Sequence, residues 1–451
     1  MKFTSLLAII TVYSGLTGVS FAAEPPPVES LPALVESAVN NNPELKTSAA
    51  RWKMFASRIK QSSSWEDPML MLKMQNMVNR YPLSFNKDTT TAKVIGISQQ
   101  IPFFGKLALK EEIAGYEAES YRWQIEERKL ELKRMVKETY YQIYAVDKAL
   151  ETVGRNLAIV ADLLKIAESR YTVGQGAQAD ILRGGVEQSK MLEMQVTLEQ
   201  QRKSLAANMN YLLARPSGSG FSSLPDFELP AVIQSQEELQ ELAYRSRPQI
   251  KSLANLASKG LAAGRLAARE SYPDFIVSLE YMQRQSAMED PGYDMYSLAL
   301  SFNLPLQTGR REAMKAESSS ESRMADEEIN ALKSSISYTI ADNLAIMERR
   351  KKLVELYRTG LIPQAEQSLE SSLIGYRVGK VDFLTLLDGR TSLFTYQREL
   401  SESKAEYMMA LARLEAAVGV ELLSAPVAEP NSIPVQAADP AGPAADHSHH
   451  H

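Results

Sequence analysis

Apolar and polar residues alternate strictly from Tyr296 to Leu304, with Tyr296, Leu298, Leu300, Phe302 and Leu304 on one side and Ser297, Ala299, Ser301 and Asn303 on the other. A period of two sustained over about nine residues predicts a β-strand with one apolar face, long enough to cross an outer membrane when tilted. The same pattern places Phe275, Val277, Leu279 and Tyr281 opposite Ser278 and Glu280, Leu70, Leu72 and Met74 opposite Lys73 and Gln75, and Ile95, Ile97 and Ile101 opposite Gly96, Ser98 and Gln100. Strands are therefore expected over about 66–78, 91–103, 273–285 and 293–305, joined by polar loops at Asn79 to Thr91 and Ser286 to Gly292. Elsewhere the pattern is helical. Between Leu107 and Tyr171 there is no proline, and Gly115 and Gly154 are the only glycines. A helix of ~65 residues is a rod of ~100 Å, where globular helices average ~12 residues. Arg311 to Tyr376 predicts a second rod, loosened at Gly360 and Pro363. Both rods are rich in Ala, Glu, Lys, Leu and Arg, the composition of coiled coils. Each ends at a Val-Gly pair, Val173-Gly174 and Val378-Gly379, suited to a reversal of direction. A returning helix then runs to about Ala214 or Val418, while shorter helices, Leu31 to about Ser63 and Gln236 to about Glu270, precede the strand pairs.

The chain is written twice. Ala38 to Lys46 resembles Ala243 to Lys251, each with a central proline, Pro43 and Pro248. Gln100-Ile-Pro-Phe-Phe-Gly-Lys106 resembles Asn303-Leu-Pro-Leu-Gln-Thr-Gly-Arg310, and Tyr171-Thr-Val-Gly174 resembles Tyr376-Arg-Val-Gly379. The three pairs occur in order at offsets of 203 to 205 residues, which means duplication rather than chance. The repeats are assigned to residues 23–235, with long helices over about 107–214, and 236–422, with long helices over about 311–420.

Composition narrows the chemistry. The 451 residues include no cysteine, and the four histidines are His447, His449, His450 and His451. The body therefore cannot hold a Ser-His-Asp or Cys-His arrangement, nor a zinc site of imidazole and thiolate, and no motif calls for a cofactor. Lys2, the apolar run Leu6 to Val19 and the small-x-small Ser20-Phe21-Ala22 predict a signal peptide over 1–22, with Ala23 the first mature residue. A net charge of −5 argues against nucleic acid as a partner. Residues 423–451 are Pro- and Ala-rich and read as a disordered tail whose terminal histidines are candidate divalent-metal ligands, a tag or a plain solvated end. Met69, Met71, Met74 and Met77 cluster around the first strand, either as soft metal ligands or as apolar filler.

Four amphipathic strands cannot close a barrel, and lipid does not tolerate open edges. The strands must be completed by other copies, and the mixed plan of strand and rod favours three. At this point the residues resemble a known family, the TolC-type outer-membrane efflux channels, over nearly the whole mature chain. The specific motifs are Gly375-Tyr-Arg-Val-Gly379 followed by Leu384, Leu386, Leu387 and Asp388, and the segment Gln99 to Lys106. The likeness is greatest to the branch serving heavy-metal pumps of the resistance-nodulation-division class. It implies a mainly α fold with a small transmembrane β part, in which a homotrimer carries a 12-stranded β-barrel on a long α-helical coiled-coil tunnel. It also implies a location in outer-membrane lipid, a passive export duct, and docking onto a periplasmic adaptor (membrane fusion) protein and an inner-membrane pump. By position in the motif, Asp180, Tyr376 and Asp388 match gate residues at the periplasmic tip, with Tyr376 matching a tyrosine that pairs with the aspartate at Asp180. Thr385 and Val381 stand where the family has an acidic and a basic residue. Val173, Gly174, Val378 and Gly379 match the adaptor-docking tips. A drug or type I protein-secretion duct of the same fold is the alternative cargo reading. A periplasmic coiled-coil adaptor or scaffold, which would need no membrane strands, is the alternative of another class.

Overall fold

The computed structural model describes residues 29–222 and 224–422. The expected signal peptide and the tail with His447, His449, His450 and His451 lie outside the described residues. In chain order the elements are α1 (Leu31–Asn41), α2 (Pro43–Ser63), β1 (Met69–Gln75), β2 (Ala92–Ile101), α3 (Lys106–Thr172) and α4 (Gln178–Leu212). There follow α5 (Gln236–Ser246), α6 (Pro248–Arg269), β3 (Phe275–Arg284), β4 (Met295–Phe302), α7 (Thr308–Leu356), α8 (Ile362–Arg377) and α9 (Phe383–Val418). The chain is mainly helical with a small strand part. At 67 residues, α3 alone is a rod of ~100 Å.

Each expected helix ahead of a strand pair is broken into two. The breaks fall at Asn42 (φ −59°, ψ 125°) and Arg247 (φ −60°, ψ 118°), each followed by proline. The proline ring pushes its predecessor out of the helical region, then starts the next helix where its missing N–H costs nothing. Both corners are anchored. The Asn42 side chain accepts from the Glu44 N–H at 2.9 Å and donates to the Leu212 carbonyl at 3.2 Å. The Arg247 guanidinium donates to both Glu127 oxygens, at 2.5 and 3.0 Å. The second rod loosens as its composition suggests. Tyr357–Leu361 forms a turn of π-helix between α7 and α8, where Gly360 weakens the helix and Pro363 lacks a donor.

The strands form one antiparallel sheet in the order β1-β2-β3-β4. The register aligns Leu72, Ile95, Tyr281 and Tyr296 across it. Leu70, Ile97, Leu279, Leu298 and Leu300 share that face, and they are 49–74% exposed in the single chain. The opposite face carries Lys73, Gly96, Ser98, Ser278, Glu280, Ser297, Ala299 and Ser301. Met69 and Met71 lie on this polar face and Met74 on the apolar one, so the methionines do not form one cluster. Each outer strand, β1 and β4, has one edge without a partner.

The main core is a belt where α1, α3, α4, α5, α7 and α9 converge. Leu34, Val136, Met209, Ile340 and Leu414 have no exposed surface there. Burying each such side chain contributes ~1.5–3 kcal/mol. The connection between the repeats is strapped onto this belt. Asp226 accepts from the Tyr144 hydroxyl at 2.6 Å and from the Lys404 ammonium at 2.9 Å, and the Tyr407 hydroxyl donates to the Pro230 carbonyl at 2.5 Å. Burial opposes the charge on Asp226, but these hydrogen bonds outweigh it and hold its carboxyl below the usual range.

Between belt and sheet, α6 and α7 approach closely because glycine meets serine. A Cβ on Gly260 would lie 2.7 Å from the Ser322 backbone nitrogen. Gly260→Val should therefore wedge the helices apart and cost about 1–3 kcal/mol, read as a lowered midpoint in thermal unfolding followed by circular dichroism. Gly115→Val, at a position with nothing within 4 Å of a Cβ, should have a smaller effect.

Candidate functional site

The two hairpin ends of the rods lie side by side and are twins. In the first, the Gln175 N–H reaches the Arg170 carbonyl at 2.8 Å and Gly174 takes φ +73°. In the second, the Lys380 N–H reaches the Gly375 carbonyl at 2.8 Å and Gly379 takes φ +75°. This six-to-one closure with a left-handed glycine ends a helix without strain. It leaves Val173 and Val378 projecting, 65% and 64% exposed. On the far side of the second turn the Asp382 carboxylate accepts from the Thr385 N–H at 2.7 Å and caps α9, and that bond holds its pKa low.

Arg170 ties the twins together, a role that no motif in the sequence marks. Its guanidinium donates to the Tyr376 carbonyl, donates to the Gln175 carbonyl at 3.1 Å and lies 4.6 Å from the centre of the Tyr376 ring. The signal was present as an asymmetry: the repeat places Gly375 where the first half has Arg170. Glycine suits the second position because a Cβ there would meet a Val381 methyl at 2.6 Å. Beneath the turns Leu163, Ala167, Tyr376, Phe383, Leu386 and Leu387 form a small apolar core.

Of the three gate candidates, Tyr376 is 3% exposed, and its buried hydroxyl has no hydrogen-bond partner in the single chain. Burial raises its pKa, the nearby negative charge of Asp180 adds to the rise, and Arg170 opposes it. Asp180 is thus close enough to be felt, but the structure forms no hydrogen bond between the two within one chain. It is the third residue of α4 rather than its cap, which is Ala177. Asp388 is exposed on α9, directly after the buried pair Leu386 and Leu387. Within one chain the charge of Asp180 acts on Tyr376, while the Asp388 side chain makes no hydrogen bond or ion pair among the described residues.

Two residues further along α9, Arg390 is 6% exposed and donates through Nε to Asn156 Oδ1 at 2.5 Å. The Asn156 amide in turn faces Met191 Sδ at 3.2 Å, so α3, α4 and α9 are pinned just above the tips. Burial, with the charge of Arg155 beside it, pushes the Arg390 guanidinium below its ordinary pKa. Among the described residues, no three His, Cys, Asp or Glu side chains gather into a metal-sized group, and no helix is long and apolar enough to cross a membrane.

A duplicated set of rods topped by a sheet with one apolar face is the architecture of a channel-type membrane protein. The profile of the outer membrane efflux protein family matches residues 34–215 and again 239–420, and the chain belongs to that family. The cobalt-zinc-cadmium resistance protein CzcC of Cupriavidus metallidurans is 22% identical over 272 residues, covering 58% of this chain and 62% of its own length, which is less than two thirds of that relative. The outer membrane protein TolC of Escherichia coli is 22% identical over 415 residues, 87% of this chain and 82% of its own. Two solved channels share the fold. VceC of Vibrio cholerae has a TM-score of 0.73 at 18% identity, covering 87% of this chain and 97% of its own. CusC has a TM-score of 0.73 at 15% identity, with 86% and 92% covered. The family places the chain in the outer membrane with its helical part in the periplasm, and it is not an enzyme.

Arg170→Ala removes two charge-assisted hydrogen bonds, each worth ~1.5–3 kcal/mol. It should raise hydrogen exchange at residues 170–177 and 376–382 well above that of the belt, with little change in global unfolding. Equal exchange in variant and parent would mean that the turns hold without the arginine.

Proposed function

We propose that three copies of this chain close one twelve-stranded barrel in the outer membrane and hang a common helical tunnel into the periplasm, forming the passive export duct of a tripartite efflux system. One observation carries the reading: a four-stranded sheet, apolar on one face, with both outer edges unpaired. In lipid each unpaired backbone group costs several kcal/mol, so the edges must be covered by further strands. Two copies would supply eight strands, a number whose lumen side chains can fill, whereas three leave an open bore. The exposed apolar residues Leu182, Val186, Leu192 and Val196 along α4 support side-by-side packing of rods from neighbouring copies. The transmembrane-type sheet also disfavours an adaptor or scaffold.

At the tips, threefold repetition would bring three Asp388 carboxylates around the axis, where they repel each other and attract cations. The buried Tyr376 hydroxyl, which lacks a partner in the single chain, would complete its hydrogen bonding as the tips close, with Asp180, whose charge already acts on it, as the candidate acceptor. Val173, Gly174, Val378 and Gly379 present the small apolar surface on which a periplasmic adaptor would dock, with an inner-membrane pump supplying the energy. Heavy-metal cations are the proposed cargo, supported by the likeness to a protein named for cobalt, zinc and cadmium resistance.

The gate is tested in planar bilayers. Asp388→Ala combined with Tyr376→Phe should raise single-channel conductance severalfold and weaken block by trivalent cations, while unchanged conductance and block would refute the gate assignment. Cargo is tested by deleting the gene and challenging cells. Sensitivity to cobalt, zinc or cadmium should rise, and a change confined to drugs would make the duct one for drugs.

A further inference from the structure

The motif Gln99 to Lys106 ends on a lysine that is 2% exposed at the head of α3. The Lys106 ammonium lies 2.9 Å from Asp274 and 3.4 Å from Glu270, and donates to the Tyr272 carbonyl at 3.1 Å. Asp274 also accepts from the Phe103 N–H at 2.7 Å, and the Phe103 ring stacks on Tyr272 at 4.6 Å. A buried cation and its two acids thus lock the turn from β2 into α3 onto the turn from α6 into β3. The lock joins the first repeat to the second where β2 and β3 are neighbours.

Duplication supplies the parts for the lock a second time. Leu306 and Arg310, between β4 and α7, correspond to Phe103 and Lys106 at offsets of 203 and 204 residues. Trp65 and Asp67, between α2 and β1, correspond to Tyr272 and Asp274, both at an offset of 207. The second loop is one residue longer, and its helix begins at Thr308, but the order of apolar residue, glycine and cation is kept. Here the parts stand apart: Trp65 is 58% and Leu306 79% exposed, and Asp67 and Arg310 are exposed too. Neither charge has an ion-pair partner among the described residues. The neighbouring Arg311 is already engaged, donating to the Pro305 carbonyl at 2.5 Å, so Arg310 is the available cation. The two half-locks sit at opposite edges of the sheet, three strand spacings or ~14 Å apart, and one chain cannot join them.

We propose that the lock is completed between copies: Arg310 of one chain pairs with Asp67 of the next, with Glu66 beside it as the second acid and Trp65 packed on Leu306. This rests on the reading that several copies share one barrel, and it names the contact that sets the register where barrel meets tunnel. Continuing the antiparallel order β1-β2-β3-β4 places the next copy's β1 beside β4, which brings these two turns together as β2 and β3 bring theirs. By the intrachain precedent the pair is buried on assembly, so removing one charge strands the other.

The chain has no cysteine, so engineered pairs report cleanly. Full-length protein carrying Asp67→Cys and Arg310→Cys, treated with a short bis-maleimide, should yield covalent dimers and trimers on denaturing gels, with neither single variant doing so. Native mass spectrometry of the untreated parent counts copies independently. An intact oligomer without cross-links overturns the lock and leaves the shared barrel standing, whereas a parent that is only monomeric overturns both. A charge swap gives a second reading if the cysteine pair fails to assemble. Arg310→Glu or Asp67→Lys alone should lower the temperature at which the oligomer dissociates, and the two together should restore most of the loss. A swap no better than either single change would overturn the pairing.

Discussion

Backbone hydrogen bonding at the two outer edges of the sheet is the constraint on which everything else turns. In water, the free edges of β1 and β4 would be solvated and the sheet could stand alone. In hydrocarbon there is nothing to solvate them, and no helix among the described residues is suited to replace the sheet as a membrane span. On the proposed reading one chain carries only a fraction of a barrel, and its exposed apolar strand face, its open edges and its unpaired half-lock all express that one deficit. The proposed trimer is the arrangement that removes all three together.

The rods respond to a different constraint. A helix of 67 residues cannot be held by propensity alone, and its stability comes from packing along its length. That packing is uneven. A dense belt of fully buried residues holds α1, α3, α4, α5, α7 and α9 at one level, while toward the tips the core thins to the few residues around Tyr376 and Phe383. Strong anchoring at the belt and light anchoring at the tips is the distribution that the proposed gate at the tips requires. The Arg170 bridge, the Arg390–Asn156 pin and the π-helical turn at Tyr357–Leu361 all lie on the thin side of that gradient or at its border.

Much of this could be read from the chain as text. The long helices followed from the lack of proline and glycine over Leu107 to Tyr171, the strands from alternation at Tyr296 to Leu304, and the reversals from paired Val-Gly turns. The segments ahead of the strand pairs read as unbroken helices, and the structure bends each one at the residue before Pro43 and Pro248, a corner that tertiary anchoring by Leu212 and Glu127 fixes. Arg170 carries no repeat signal, since Gly375 stands in its place in the second half, and nothing in the sequence around Arg390 marks it as buried. The role of the motif lysine is not legible in the sequence, since its acids, Glu270 and Asp274, lie over 160 residues away.

By itself, then, the sequence determined the elements, their order and their duplication, because helical and strand periodicity, proline geometry and left-handed glycine are local properties of a few adjacent residues. Only the tertiary structure decided which strands are neighbours, which charges are buried, that Lys106 answers Asp274 while Asp67 and Arg310 are left without an answer, and that Tyr376 is buried with its hydroxyl unbonded. Those are outcomes of burial and of distance between remote segments. A side chain's charge or hydroxyl is written in the sequence, but whether water or another residue surrounds it is settled only when the rods and the sheet come together.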